Sequence, residues 1–307
     1  MRVSSTVLRA FESLNAPVAT FVDSRILPAT VAVVRRCFGD ASRAKLSIFF
    51  AHAACAVATC ALVTAVSCVV SPVLFRKVWN GMSKRDRRVW HSNAGTFFPA
   101  IFVPLFAVPA ILKFPGEGTE FVREAALDTI RACGFSLGYM TWDLALLMED
   151  PAGQQQAYGG KKAYYIFVLH HLFSIIIWPY AVFAGRCVWF INYFLVSEAT
   201  NANMSLRWFL LRCKMEKTRI YLVNGLLWIP LFLGVRICVI PAMARALIFA
   251  TWERLTYWEK IFAFTTLPLP SMLNIYWIRM ILSNAIQYLT TGAAQSDISD
   301  SDKMKDA

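Results

Sequence analysis

Apolar and polar positions along this chain fall into long blocks and do not alternate residue by residue. Seven blocks of roughly 20 apolar residues, at 46–74, 94–114, 129–148, 163–184, 188–211, 220–242 and 261–286, are separated by short charged stretches. About 20 helical residues cross the hydrocarbon core of a bilayer, and barrel strands are half that length with a period of two. Backbone amides find no water in lipid, so each block is expected to be a helix. The predicted architecture is an all-α membrane protein, a polytopic helical bundle of about seven transmembrane helices. Pro230, Arg236 and Pro241 interrupt the sixth block and predict a kink there, or an exit near Pro241.

The ends differ from the blocks. Residues 1–45 mix Asp23, Arg25, Arg35, Arg36 and Asp40 with short apolar patches, too charged to span and expected to form an interfacial or flexible segment. The first long apolar run is a full span and not the short core of a cleavable signal. Residues 46–75 then form one helix, 76–288 the main bundle, and the polar, acidic stretch 289–307 a disordered tail.

Composition agrees: 57% of the 307 residues are hydrophobic and only 16% charged, against about 25% in a soluble domain. A net charge of +12 invites a nucleic-acid partner, but the cations sit at the edges of the apolar blocks, where anionic headgroups attract them. No nucleic acid is expected. The eight cysteines lack CxxC or metal-ligand spacing and read as small buried apolar residues. Four histidines are too few for the clustered ligands of a membrane di-iron enzyme, so no metal is expected. A carrier or channel stays compatible with ionisable groups in the spans, without mirrored Gly-broken helices to favour one.

Short connections set the orientation. Arg76, Lys77, Lys84, Arg85, Arg87 and Arg88 follow the first block, and Arg212, Lys214, Lys217 and Arg219 follow the fifth. This richer set is assigned to the cytosol, and an odd number of spans then puts the C-terminus there as well. The terminal KMKDA places Lys303 and Lys305 in a pattern that resembles the dilysine retrieval signal of endoplasmic reticulum membrane proteins, which is read from the cytosol.

Against this apolar background the polar residues inside the blocks stand out. Rising 1.5 Å per residue, a helix puts Asp143 about 7 Å from the end of the third block and His170 about 10 Å into the fourth, from ends joined by one loop. Glu198, Asn201 and Ser205 recur at i, i+3 and i+7 on one face of the fifth, with Glu198 about 14 Å from Arg207. His91 and Asn93 sit where the second block leaves its loop. A charge at a span centre costs about 2.5–3.5 kcal/mol on insertion scales, so such residues face the bundle and pair. His91, Asp143, His170, His171, Glu198 and Asn201 are therefore expected to converge on one polar pocket; the bland alternative is interhelical packing glue.

The same residues carry a resemblance. LGYMTWDLALLMED, FVLHHLFSIII and FLVSEATNANMSLRWFLL, in that order, resemble the TLC domain, the family of translocating-chain-associated proteins, longevity-assurance ceramide synthases and small TLC-domain proteins. VWHSNAG resembles its early histidine. The resemblance covers the main bundle and implies a six-helix core with the first block added. By analogy with the ceramide synthases it implies acyl transfer from acyl-CoA, a co-substrate and not a resident cofactor. His170 or His171 would be the base or acyl acceptor, Asp143 would orient it, and His91, Glu198, Asn201 and Arg207 would hold the substrate. The synthases continue with a His-Asp pair and a further Asp; here FINYFLVSEATNANMSLRW has Glu198 as its one acid and no histidine. The chain is thus more similar to the small TLC-domain branch, linked to membrane lipid composition. That implies lipids or acyl chains as partners, with self-association left open; the alternative is a non-catalytic receptor, chaperone or lipid sensor.

Overall fold

A computed structural model describes residues 5–28, 30–31, 43–114, 118–157 and 160–291. The expectations for Arg35, Arg36, Asp40, Lys303 and Lys305 lie outside the described residues; of the tail expected to be disordered from 289, residues 289–291 are helical and the rest lies outside the described residues. Among those described the chain is helical, with one isolated bridge between Val122 and Arg186 and no strand.

The apolar blocks are helical, as their length requires, and among the described residues five helical stretches are long and apolar enough to cross a membrane: Ala44–Leu74, Lys84–Leu112, Lys161–Phe183, Arg219–Ile248 and Tyr257–Thr290. The elements are α1 (Ser5–Phe21), α2 (Arg43–Leu74), α3 (Arg76–Gly81), α4 (Lys84–Phe97), α5 (Pro99–Leu112), α6 (Leu127–Glu149), α7 (Pro151–Ala157), α8 (Lys161–Phe183), α9 (Val188–Val196), α10 (Ala199–Arg212), α11 (Arg219–Phe232), α12 (Ile240–Ile248), α13 (Tyr257–Thr266) and α14 (Pro268–Thr291). The two blocks outside the five differ for physical reasons. Helix α6 carries Asp128, Arg131 and Asp143, yet it packs against α2, α5, α8 and α9, and these three side chains meet Lys113, Asp23 and His171. The block at 188–211 is two helices, α9 and α10, broken at Ser197 and Glu198, where one straight span was expected.

Two boundaries also shift. The second block starts ten residues earlier, at Lys84, and is continuous through Phe98 into Pro99, so His91 lies within the helix and not at its mouth. The sixth does not exit at Pro241; a π turn at Leu233–Ile237 absorbs the distortion and Pro241 takes up a first-turn position of α12, where its missing N–H costs nothing.

Glycine sets the central contact. A Cβ on Gly134 would stand 2.3 Å from the Phe49 carbonyl oxygen and one on Gly138 2.1 Å from that of Ala53. Both contacts advance by four residues in the same direction, so α2 and α6 run parallel with their backbones touching, the small-xxx-small mode of membrane helices. The opposite face of α2 presents Leu62, Val66, Val69 and Val73 outward, as a lipid-facing surface requires.

Polar contacts between connections sort into two ends. Arg85–Asp150 (3.8 Å), Arg88–Glu149 (4.0 Å), Arg212–Asp86 (3.1 Å) and Tyr288 Oη donating to the Glu216 carbonyl (3.1 Å) lie at the basic end. Lys45–Glu124, Arg186–Glu259 (2.6 Å), Arg254–Glu120 (3.5 Å) and Thr251 N–H to the Thr119 carbonyl (2.9 Å) lie at the other. Helix α1 packs on α5, with Asn15 Nδ2 donating to the Leu105 carbonyl at 3.0 Å, and Asp23 just beyond it meets Arg131 at 2.5 Å.

Candidate functional site within the bundle

Neighbouring residues on a helix point about 100° apart, so His170 and His171 face different surroundings. His171 is buried against α6. Its Nδ1 lies 2.8 Å from the Phe167 carbonyl, which only accepts, so Nδ1 carries the hydrogen and donates. Its Nε2 lies 2.9 Å from Asp143 Oδ2, in a charge contact that is off the line of an ideal hydrogen bond. A bare lone pair on Nε2 would face a carboxylate. The pair is therefore stable with one proton between them, held as imidazolium and carboxylate or as imidazole and carboxylic acid.

His170 is half-buried and faces α14. Its ring stands 6.3 Å from Trp277 and 5.6 Å from His171, and among the described residues its nitrogens make no hydrogen bond. It is the unengaged imidazole of the pair.

A second polar group surrounds the break in the fifth block. There the hydrogen bonds tighten to i→i+3, from Glu198 N–H to Leu195, Thr200 N–H to Ser197 and Asn201 N–H to Glu198. Glu198 Oε2 accepts from Tyr139 Oη at 2.8 Å and from Asn201 Nδ2 at 2.7 Å. Arg236, brought inward by the π turn, donates to Thr200 Oγ1 (2.9 Å), Asn274 Oδ1 (3.0 Å), the Ser197 carbonyl (2.8 Å) and Asn201 Oδ1 (3.2 Å). Its guanidinium carbon lies 5.3 Å from the centre of the Phe232 ring and 5.4 Å from that of Trp277. Asn201 thus links the buried carboxylate to the buried guanidinium, and Trp277 touches both polar groups.

The expected pocket is therefore divided. Asp143, His170 and His171 come together, and Glu198 and Asn201 lie beside them. His91 does not join: its Nδ1 is 2.9 Å from Ser67 Oγ and its ring 5.1 Å from Trp79, toward the basic end. Arg207 is also apart, with its guanidinium 5.9 Å from the Tyr221 ring. Sequence reasoning misses Arg236 as a site residue and finds in it only an interruption of the sixth block, although a lone arginine inside an apolar block is the signal for one. Tyr139 lies in the stretch LGYMTWDLALLMED that carries the resemblance, where no role is assigned to it. His52, fully buried in α2, repeats the His171 arrangement with Nδ1 at 2.8 Å from the Ile48 carbonyl. Among the described residues no group of three His, Cys, Asp or Glu is placed to hold a metal ion.

Two surface recesses lie at the ends. One is lined by Arg85, Arg88, Ser92 and Glu149; the other, of about 450 Å³, by Lys45, Arg123, Glu124, Phe183 and Arg254. Neither includes a histidine.

Buried ionic groups at breaks in apolar helices, inside an all-α bundle with lipid-facing flanks, define a polytopic membrane protein. The chain belongs to the TLC domain family, whose match covers residues 89–283 and so contains both polar groups. It is 26% identical to TLC domain-containing protein 4-B of Danio rerio over 233 residues, 73% of this chain and 84% of that protein. It is 24% identical to TLC domain-containing protein 4 A of Dictyostelium discoideum over 98 residues, 32% of this chain and 38% of that protein. No solved structure matches.

Proposed function

We propose that this protein binds a lipid or acyl chain between its helices, with the polar end at His170, and helps set membrane lipid composition from the endoplasmic reticulum membrane, its C-terminus in the cytosol. The observation that carries the reading is the free imidazole of His170 beside the proton-sharing His171–Asp143 pair. Nδ1 of His171 donates to the Phe167 carbonyl and its Nε2 faces the Asp143 carboxylate, so His170 is the one available to a ligand.

As an enzyme the protein would be an acyl-CoA-dependent acyltransferase. A His170 nitrogen attacks the thioester carbonyl, the C–S bond breaks, and the CoA thiolate takes a proton from the His171–Asp143 pair. An amine or hydroxyl then displaces the acyl group from His170, and its proton returns to the pair. The test uses purified protein in nanodiscs, with native mass spectrometry for retained lipid and labelled acyl-CoA for transfer. Wild type should retain acyl lipid or move label, and His170→Ala should lose both; equal retention and transfer in the variant would exclude the reading.

One observation favours a second, non-catalytic reading. The Glu198–Arg236 group is closed on itself, as packing glue would be. Under that reading the lipid profile of membranes carrying His170→Ala and His171→Ala matches wild type.

A further inference from the structure

Toward the basic end, α2 carries Ser71, Ser67, Thr64 and Cys60 at spacings of four, three and four, which stacks them on one helical stripe facing α4 and α6. Trp90 Nε1 donates to Ser71 Oγ at 2.9 Å, the Ser71 and Ser67 hydroxyls stand 3.1 Å apart, and Ser67 Oγ is 2.9 Å from His91 Nδ1. An indole only donates, so a single direction satisfies every member: Trp90 to Ser71, Ser71 to Ser67, Ser67 to His91. His91 then carries its hydrogen on Nε2 and is half-buried at the mouth of the chain.

One turn deeper the polar groups continue but are not paired. Thr64 Oγ1 and Trp142 Nε1 are buried without a partner. Both converge on Gly95, where a Cβ would stand 2.4 Å from the first and 3.6 Å from the second. A buried donor left unpaired costs about 1–3 kcal/mol, and two that converge are the usual anchors of a bound water. Cys60, the next residue of the stripe, lies close enough to Asp143 to feel its charge, and Asp143 Oδ2 stands 2.9 Å from His171 Nε2.

We propose that His91, Ser67, Thr64 and the water anchored by Trp142 form a proton path from the basic end of the bundle to the Asp143–His171 pair. The path deepens the lipid reading, because a pair that lends and recovers a proton inside a bilayer exchanges it with an aqueous face. Each hydroxyl, imidazole or water takes one proton on one side and releases one on the other, with no change of oxidation state. The Trp142 N–H stays in place and holds the water.

The test follows hydrogen–deuterium exchange of the pair by infrared spectroscopy after a switch to D2O, on full-length protein in nanodiscs without added lipid ligand. The carboxyl and imidazole bands are assigned with Asp143→Asn. Thr64→Val, Ser67→Ala and Gly95→Ala should each slow exchange about tenfold, the rate equivalent of one lost hydrogen bond. Thr64→Ser, which keeps the hydroxyl, should exchange as wild type does. Exchange at the wild-type rate in Thr64→Val and Ser67→Ala overturns the path, as does equal slowing by Thr64→Ser and Thr64→Val. Lipid retention and acyl transfer are read separately, so their loss leaves this result standing.

Discussion

The Glu198–Arg236 group and the His170–His171–Asp143 group lie side by side, yet they are built to opposite rules. Every nitrogen of Arg236 donates, and both partners of the Glu198 oxygen are fixed. The histidine group has one engaged ring, one free ring and a contact off the ideal line. A saturated buried network holds helices in place; an unsaturated one keeps capacity for something else. The contrast teaches that charge inside the bundle is not by itself a mark of chemistry, and that the remaining bonding capacity is the better guide.

The largest effect should come from cutting the saturated side. Arg236→Met leaves Glu198 buried without its cation and strands Asn274 and the Ser197 carbonyl, a loss of about 3–5 kcal/mol of the kind seen when one partner of a buried pair is removed. Thermal unfolding in detergent should show the transition collapse, and an unshifted melt would mean that the network is not what holds α10, the π turn and α14 together.

His171→Ala comes next. It leaves Asp143 facing the interior alone and should cost about 1–3 kcal/mol. Asp143→Asn should cost less, because its amide can donate to the Nε2 lone pair while Nδ1 keeps its carbonyl. Melting curves that rank the two the other way would show that charge, and not the shared proton, stabilises the pair.

His170→Ala should be near neutral, within about 0.5 kcal/mol, since no hydrogen bond is lost. Its effect is expected on lipid retention alone. A stability loss as large as that of His171→Ala would erase the distinction between the two rings.

The smallest effect lies outside both groups. Lys113, at the end of α5, pairs with Glu12 of α1 at 2.6 Å and Asp128 at 3.1 Å, and its ammonium is held above its usual 10.5, first by the bond to Glu12. A raised pKa means the stabilisation is complete below 10.5 and fades as pH rises through the folded value. The group is substantially exposed, so the loss is at most about 1 kcal/mol. Melts at pH 9 and pH 11 should differ slightly more in wild type than in Lys113→Met.

The bundle was legible because apolar blocks of span length leave the backbone one solution, and α2, α6 and α8 begin and end within three residues of the pattern. The convergence of Asp143 and His171 was legible from depth and cost. What escaped was local geometry. Hydrophobicity is blind to whether 188–211 runs straight, and the break at Ser197 and Glu198 is fixed by Arg236 arriving from a distant helix. Arg236 itself is turned inward by a π turn, which shifts residues on the helix face by a step that regular spacing does not contain. His91 was misplaced because its helix begins at Lys84, so counting from the apolar block set its depth wrongly.

Trp277 belongs to neither group and touches both, its ring perpendicular to that of His170 at 6.3 Å and its face beneath the Arg236 guanidinium. A tail sliding in beside the free imidazole would have to nudge this indole, and the nudge would be felt by the cation that clasps three helices. Occupancy and rigidity would then report on each other through a single flat side chain.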